Sequence, residues 1–256
     1  MHNPLFSLQR FLGAQGLFFR DSLIMVWHVL SNLSVITKWP VRNSFLKQLY
    51  FTGIQSVGPI SVMALLAGII MVTQVSNVVG RNELLTLQVL IWTVVRELGP
   101  LLTAIVIIGR SSSAIASELA SMQVNGEIKN LRRMGISPVF YLVTPRMLAM
   151  TMTCVVLTFY FQLIAIGTGM VVTAWGIDVS FVGEVSHFFE MLSFLEIFTA
   201  LFKSLCFGIL VSVVSCYYGL TVTRAMTDIP VASSRAVMRS LLAVFACDGL
   251  ITALVF

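Results

Sequence analysis

Residues 96–146 read RELGPLLTAIVIIGRSSSAIASELASMQVNGEIKNLRRMGISPVFYLVTPR, an apolar helix that begins on two adjacent charges and ends in a basic turn. Within it Arg96, Thr103, Arg110 and Ser117 recur every seven residues. That step returns to nearly the same helical face, so a polar stripe runs down an otherwise apolar rod. An arginine at mid-bilayer costs roughly 3 kcal/mol on insertion scales, which directs the stripe toward protein, a partner helix or a wet cavity. Gly109, Ser113, Ser117 and Ser121 place a small residue at every fourth position, the pattern that lets another helix backbone come close. Many membrane helices carry such faces for packing alone.

Residues 123–138 then read as a short surface helix. Val124, Ile128 and Leu131 fall on one side, and Glu127, Lys129, Arg132 and Arg133 on the other. Gly135 and Pro138 stop it. A helix of this kind between two spans either lies on anionic headgroups or serves as a docking peg for a cytosolic partner.

The rest of the chain sets this stretch in a membrane. Of 256 residues, 57% are hydrophobic and only 11% charged, against about a quarter charged in soluble domains. The apolar tracts are long and continuous and lack the alternation of a barrel, so the fold class is an all-α integral membrane protein. The net charge of +5 sits mainly at the ends of apolar runs, which membrane anchoring explains without nucleic acid. Cys154, Cys206, Cys216 and Cys247 all lie in hydrophobic tracts with no pair at metal-ligand spacing, so neither a metal nor a disulfide framework is expected.

Two regions follow. Residues 1–47 form an N-terminal interfacial helical segment, whose longest uncharged piece, Ser22 to Thr37, is short for a perpendicular span; a sixth, tilted span is the alternative. No cleaved signal peptide is recognisable there. Residues 48–256 form the transmembrane domain with five spans: Gln48 to Gly80, Leu84 to about Ser121, Val139 to Trp175, about Ile197 to Val222, and about Arg235 to Phe256. A turn at Arg81, Asn82 and Glu83 joins the first two. The longest loop, Gly176 to Glu196, has Phe181, Val185, Phe188, Phe189 and Leu192 at helical spacing, which predicts an amphipathic helix on the opposite surface. Lysine and arginine concentrate in 38–47, 129–146 and 224–239 and are absent from 176–196. The positive-inside rule therefore places the N-terminus and the 123–138 helix in the cytoplasm and the C-terminus outside.

Arg96, Glu97 and Lys203 are the ionisable residues set well inside spans, on the outer side of this topology, and are the candidate substrate-binding residues. A cation there is able to meet a phosphate. The competing explanation is that Arg96 or Lys203 simply pairs with Glu97. No phosphate-cradling G-x-x-x-x-G-K-[S/T] loop occurs, so nucleotide hydrolysis is not expected of this chain. A secondary transporter would usually show internal repeats and paired broken helices, and no convincing repeat is present. A lipid-headgroup enzyme is the third reading, but Asp248-Gly249 is a lone dipeptide without further aspartates to hold a metal.

The run ELGPLLTAIVIIGRSSSAIASELASMQVNGEIKNLRRMGISPVFYLVTPRMLA, with the ending Cys247-Asp248-Gly249-Leu250-Ile251-Thr252-Ala253, resembles the MlaE-type permeases, membrane subunits of ABC transporters associated with mammalian-cell-entry (MCE) lipid-transfer proteins. The resemblance implies a permease homodimer in the bacterial inner membrane that encloses a lipid pocket open to the periplasm, with Arg96, Glu97 and Lys203 in or around it. It also implies a separate ABC ATPase gripping the 123–138 coupling helix through Glu127, Ile128, Leu131, Arg132 and Arg133. A periplasmic MCE-domain protein and a small cytoplasmic accessory subunit complete the expected set. Phospholipid is the implied cargo, with sterols or other hydrophobic molecules as the alternative, and no cofactor is expected.

Overall fold

In the computed structural model, five helices among the described residues are long and apolar enough to cross a membrane: Val41–Asn77, Gln88–Val124, Val139–Ala174, Phe194–Leu220 and Asp228–Val255. The structure describes residues 39–79, 88–177, 193–222 and 225–255 continuously, with 20, 22–27, 29, 31, 187, 188 and 191 in addition. The turn at 81–83, most of the N-terminal segment and most of the expected 176–196 amphipathic helix lie outside the described residues. No strand occurs among those described.

Among the described residues the helix leading into the first span already covers Trp39–Leu49, ahead of the expected Gln48. The second span is helical from Gln88 to Val124, about 55 Å at 1.5 Å per residue, so it outruns the roughly 30 Å hydrocarbon core as its sequence predicts. The fourth begins at Phe194 rather than Ile197, because Ser193 and Glu196 form a capping box. The fifth begins at Asp228, ahead of the expected Arg235, with an acidic side chain in the first turn, where the helix dipole favours it.

Four π-helical turns interrupt these spans, at Tyr50–Ile54, Ile91–Leu98, Ile108–Ser112 and Val139–Val143. Two of them end two residues before a proline, Pro100 or Pro145. A proline ring clashes with the carbonyl four residues back and brings no N–H, so the helix widens there. At Pro100 the effect can be followed atom by atom. The Gly99 N–H bonds to Val94, which leaves the Val95 carbonyl without its usual donor. Gln162 of the third span supplies one, its Nε2 donating to Val95 O at 2.9 Å.

The third and fourth spans form the centre of the bundle. The third packs against the first and fourth, and the fourth also packs against the second and fifth. Lipid tails are as apolar as leucine, so close contact has to come from small residues and hydrogen bonds. A Cβ on Gly208 would lie 2.7 Å from Thr151 Cα, and one on Gly219 would lie 2.7 Å from Leu119 Cβ. Ser215 Oγ lies 2.7 Å from Ser112 Oγ, itself 3.5 Å from Ser240 Oγ, so three buried serines tie the second, fourth and fifth spans together.

Within one chain the contact is therefore made by Ser112, one position off the sequence stripe of Gly109, Ser113, Ser117 and Ser121. A Cβ on Gly109 would meet nothing within 4 Å. Ser113 and Ser117 return their hydroxyls to carbonyls of their own helix.

The surface helix is shorter than the sequence suggests. It runs from Glu127 to Arg133, two turns, and residues 134–138 are not part of it. Gly126 and Gly135, at φ 77° and 76°, bracket it in a conformation that only glycine adopts without strain. Ile136 N bonds to Leu131 O at 3.0 Å and Gly135 N to Arg132 O at 3.1 Å, the paired bonds of a Schellman stop.

Candidate functional site

The charged residues singled out by the sequence do come together. In the second span the π turn before Pro100 carries Arg96 and Glu97. Lys203 reaches them from the fourth span, its Nζ donating to Glu97 Oε2 at 2.6 Å. Two residues of the fifth span complete the cluster: Lys203 Nζ is 2.8 Å from Asp248 Oδ1 and donates to Thr252 Oγ1 at 2.8 Å. Thr252 Oγ1 also lies 3.3 Å from both carboxylate oxygens of Glu97. Arg96 Nε stands 3.3 Å from Glu97 Oε1.

The pairing weighed as the competing explanation is thus present, and in a more complete form. Two cations and two carboxylates from three spans meet at the end of the bundle away from the surface helix. Lys203 is fully buried, whereas the side chains of Arg96 and Glu97 keep 18% and 32% of their surface open. The ammonium of Lys203 is enclosed by three oxygen partners. The widest opening is at Glu97, with Arg96 and Asp248 partly open at 18% and 15%.

Asp248 and Thr252 were missed as site residues. A lysine sunk in a span calls for a counter-charge, and Asp248 is the acidic residue within the last span that supplies it. Gln162 was missed as well, because its role exists only once Val95 has lost its helical donor.

At the other end, the surface helix presents the faces expected of it. Ile128 is buried and Leu131 half-buried against the bundle, while Glu127, Lys129, Arg132 and Arg133 are exposed. The polar stripe likewise turns inward: Thr103 is buried and Arg96, Arg110 and Ser117 are partly covered.

A five-span helical bundle with a charged cluster inside one end and a two-faced helix outside the other defines a multi-pass membrane protein. The sequence model of the permease MlaE family matches residues 45–254. A probable ABC transporter permease of Rickettsia typhi is 27% identical over 98% of this chain and 99% of its own length. A second, from Synechocystis, is 30% identical over 84% of this chain and 82% of its own. The intermembrane phospholipid transport system permease protein MlaE of Haemophilus influenzae is 27% identical over 87% of this chain and 88% of its own. The chain belongs to the MlaE permease family.

Proposed function

We propose that this chain is the non-catalytic membrane subunit of an ABC transporter that moves phospholipid between the inner membrane and a periplasmic MCE protein. A separate ATPase supplies the energy. The observation that carries the reading is the family match across the whole spanning region, joined to a charge cluster inside the bundle that is most open at Glu97 and Arg96. Intramembrane charge marks a pathway more often than it marks packing. In this reading Arg96 meets the lipid phosphate, Glu97 orients Arg96, and Lys203 with Asp248 holds Glu97 from behind.

Two copies of the chain pair in the membrane, and the partly exposed stripe of Gly109, Ser113, Ser117 and Ser121, open at Gly109 although Ser233 of the fifth span donates to Ser113 O at 3.2 Å, is offered to the second copy. The end bearing Lys129, Arg132 and Arg133 faces the cytoplasm, in keeping with its basic residues, and a small accessory subunit joins the ATPase there. The cluster then lies on the periplasmic side.

Arg96→Ala is expected to lower phospholipid transfer by the reconstituted complex about tenfold, the worth of one charge-assisted hydrogen bond, with assembly intact. Unchanged transfer would remove Arg96 from the pathway. Charge reversal by Arg132→Glu with Arg133→Glu is expected to strip the ATPase from the permease during purification. Full retention of the ATPase would leave the helix merely lying on the membrane.

A further inference from the structure

A cleft of about 420 Å³ opens at the end of the bundle that carries the surface helix, between the first, second and third spans. Its size falls within the roughly 300–1,000 Å³ of small-molecule sites. Three of the four π turns border it, contributing Phe51 and Thr52, Arg110 and Ser111, and Tyr141 and Leu142. Such turns recur at functional sites. None of the residues assigned above to the charge cluster touches it.

Its electrostatics are unbalanced. Lys47, Arg110 and Arg146 line the cleft against a single carboxylate, Glu118. Arg146, with a side chain 9% exposed, lies 2.8 Å from Glu118 through Nη2 and donates from Nη1 to Leu142 O at 3.3 Å. Its buried Nε has no hydrogen-bond partner among the described residues. Arg110 is held by neutral groups only, donating to Ser56 Oγ at 2.9 Å and to Gln55 Oε1, which fix the guanidinium without cancelling its charge. Lys47 is exposed and has no ion pair among the described residues.

We propose that this cleft binds the phosphodiester of an anionic glycerophospholipid from the leaflet on the surface-helix side. The cations supply the charge, and the oriented fork of Arg110 suits phosphate oxygens. A lipid, rather than a soluble phosphate ester, is favoured by the apolar remainder of the wall, Phe51, Ile115 and Leu142, and by the exposure of Phe51 on a helix long and apolar enough to cross a membrane. The Glu118 carboxylate competes with the phosphate for Arg146. The inference goes beyond the transport reading and does not depend on it, because binding is read without transfer.

The test uses the full chain in phosphatidylcholine nanodiscs doped with a phosphatidylglycerol that carries a diazirine on the first carbons of an acyl chain. After irradiation, adducts are expected in peptides spanning 44–55, 110–118 and 141–146. Lys47→Ala with Arg110→Ala is expected to reduce them at least about fivefold, and Glu118→Gln to raise them about threefold, since it frees a charge-assisted donor. Lys47→Ala alone, at an exposed position, is expected to reduce them about twofold and guards against misfolding of the double variant. Equal labelling by a diacylglycerol carrying the same diazirine would overturn the proposal, as would labelling indifferent to these variants or weakened by Glu118→Gln. Suppression by millimolar glycerol 3-phosphate would assign the cleft to a soluble phosphate ester and overturn the lipid source. A failure of Arg96→Ala to alter transfer would leave this result untouched.

Discussion

Lys203→Met is expected to destabilise the purified chain by about 3–5 kcal/mol, the cost of breaking a buried ion pair from one side. Methionine approximates the lysine stem in volume, so the loss reports charge rather than a cavity. Without the ammonium, Glu97 and Asp248 face each other across the space where Lys203 Nζ stood, 2.6 Å from one and 2.8 Å from the other. Water cannot take its place cheaply at a fully buried position. Adding Asp248→Asn is expected to restore much of the loss, because it removes one of the two stranded carboxylates. Thermal unfolding in detergent of the single and double variants gives the coupling directly. Equal stability of wild type and Lys203→Met, or no rescue by the second change, would show that the cluster does not hold the spans together.

The second large effect is expected at Gly208, where the fourth span crosses the third. Gly208→Val should cost about 1–3 kcal/mol or more, since the added branches have nowhere to go. Even the first added carbon would sit 2.7 Å from Thr151 Cα, 3.2 Å from Cys154 Cβ and 3.3 Å from Thr151 O. Two of those atoms are backbone and cannot swing aside. Gly109→Val is the control: the same change on a spanning helix, but with open space around the Cβ, so the unfolding midpoint of the monomer should hardly move. If Gly208→Val were as mild as Gly109→Val, the third and fourth spans would have to pack more loosely than this geometry requires.

These two sites differ in how far the chain announces them. Lys203 stands out in a run of apolar residues, and its need for a counter-charge follows from desolvation alone. That Asp248 answers it, 45 positions on, does not follow from any periodicity. Gly208 looks no different from Gly109 as a letter, yet one is pressed against a backbone and the other is open. The serines show the same limit. The regular stripe at every fourth position is conspicuous, but Ser112, Ser215 and Ser240, which carry no shared spacing, meet inside the bundle.

The surface helix was legible in its faces and less so in its extent. Apolar spacing places Ile128 and Leu131 on the inner side correctly, because one helical turn is enough to separate the faces. Its end was set by the Gly135 stop, which closes the helix before Pro138 is reached. The cleft was not legible. In the sequence Arg110 is one member of the polar stripe and Arg146 the end of a basic turn; three interrupted helices had to converge before they became one wall.

What the amino-acid sequence determined by itself was the solvent of each segment: five stretches too apolar for water, the place of Arg96, Glu97 and Lys203 within those stretches, and the amphipathic helix between the second and third spans. Those are properties of a residue and its neighbours in the chain, fixed by transfer energies and helical period. The tertiary structure alone decided which charges neutralise one another, which glycines and serines lie at a crossing, and where a hollow remains. These depend on the rotation and register of one helix against another, which in a bilayer are chosen by close packing and hydrogen bonding rather than by the apolar pattern common to all five.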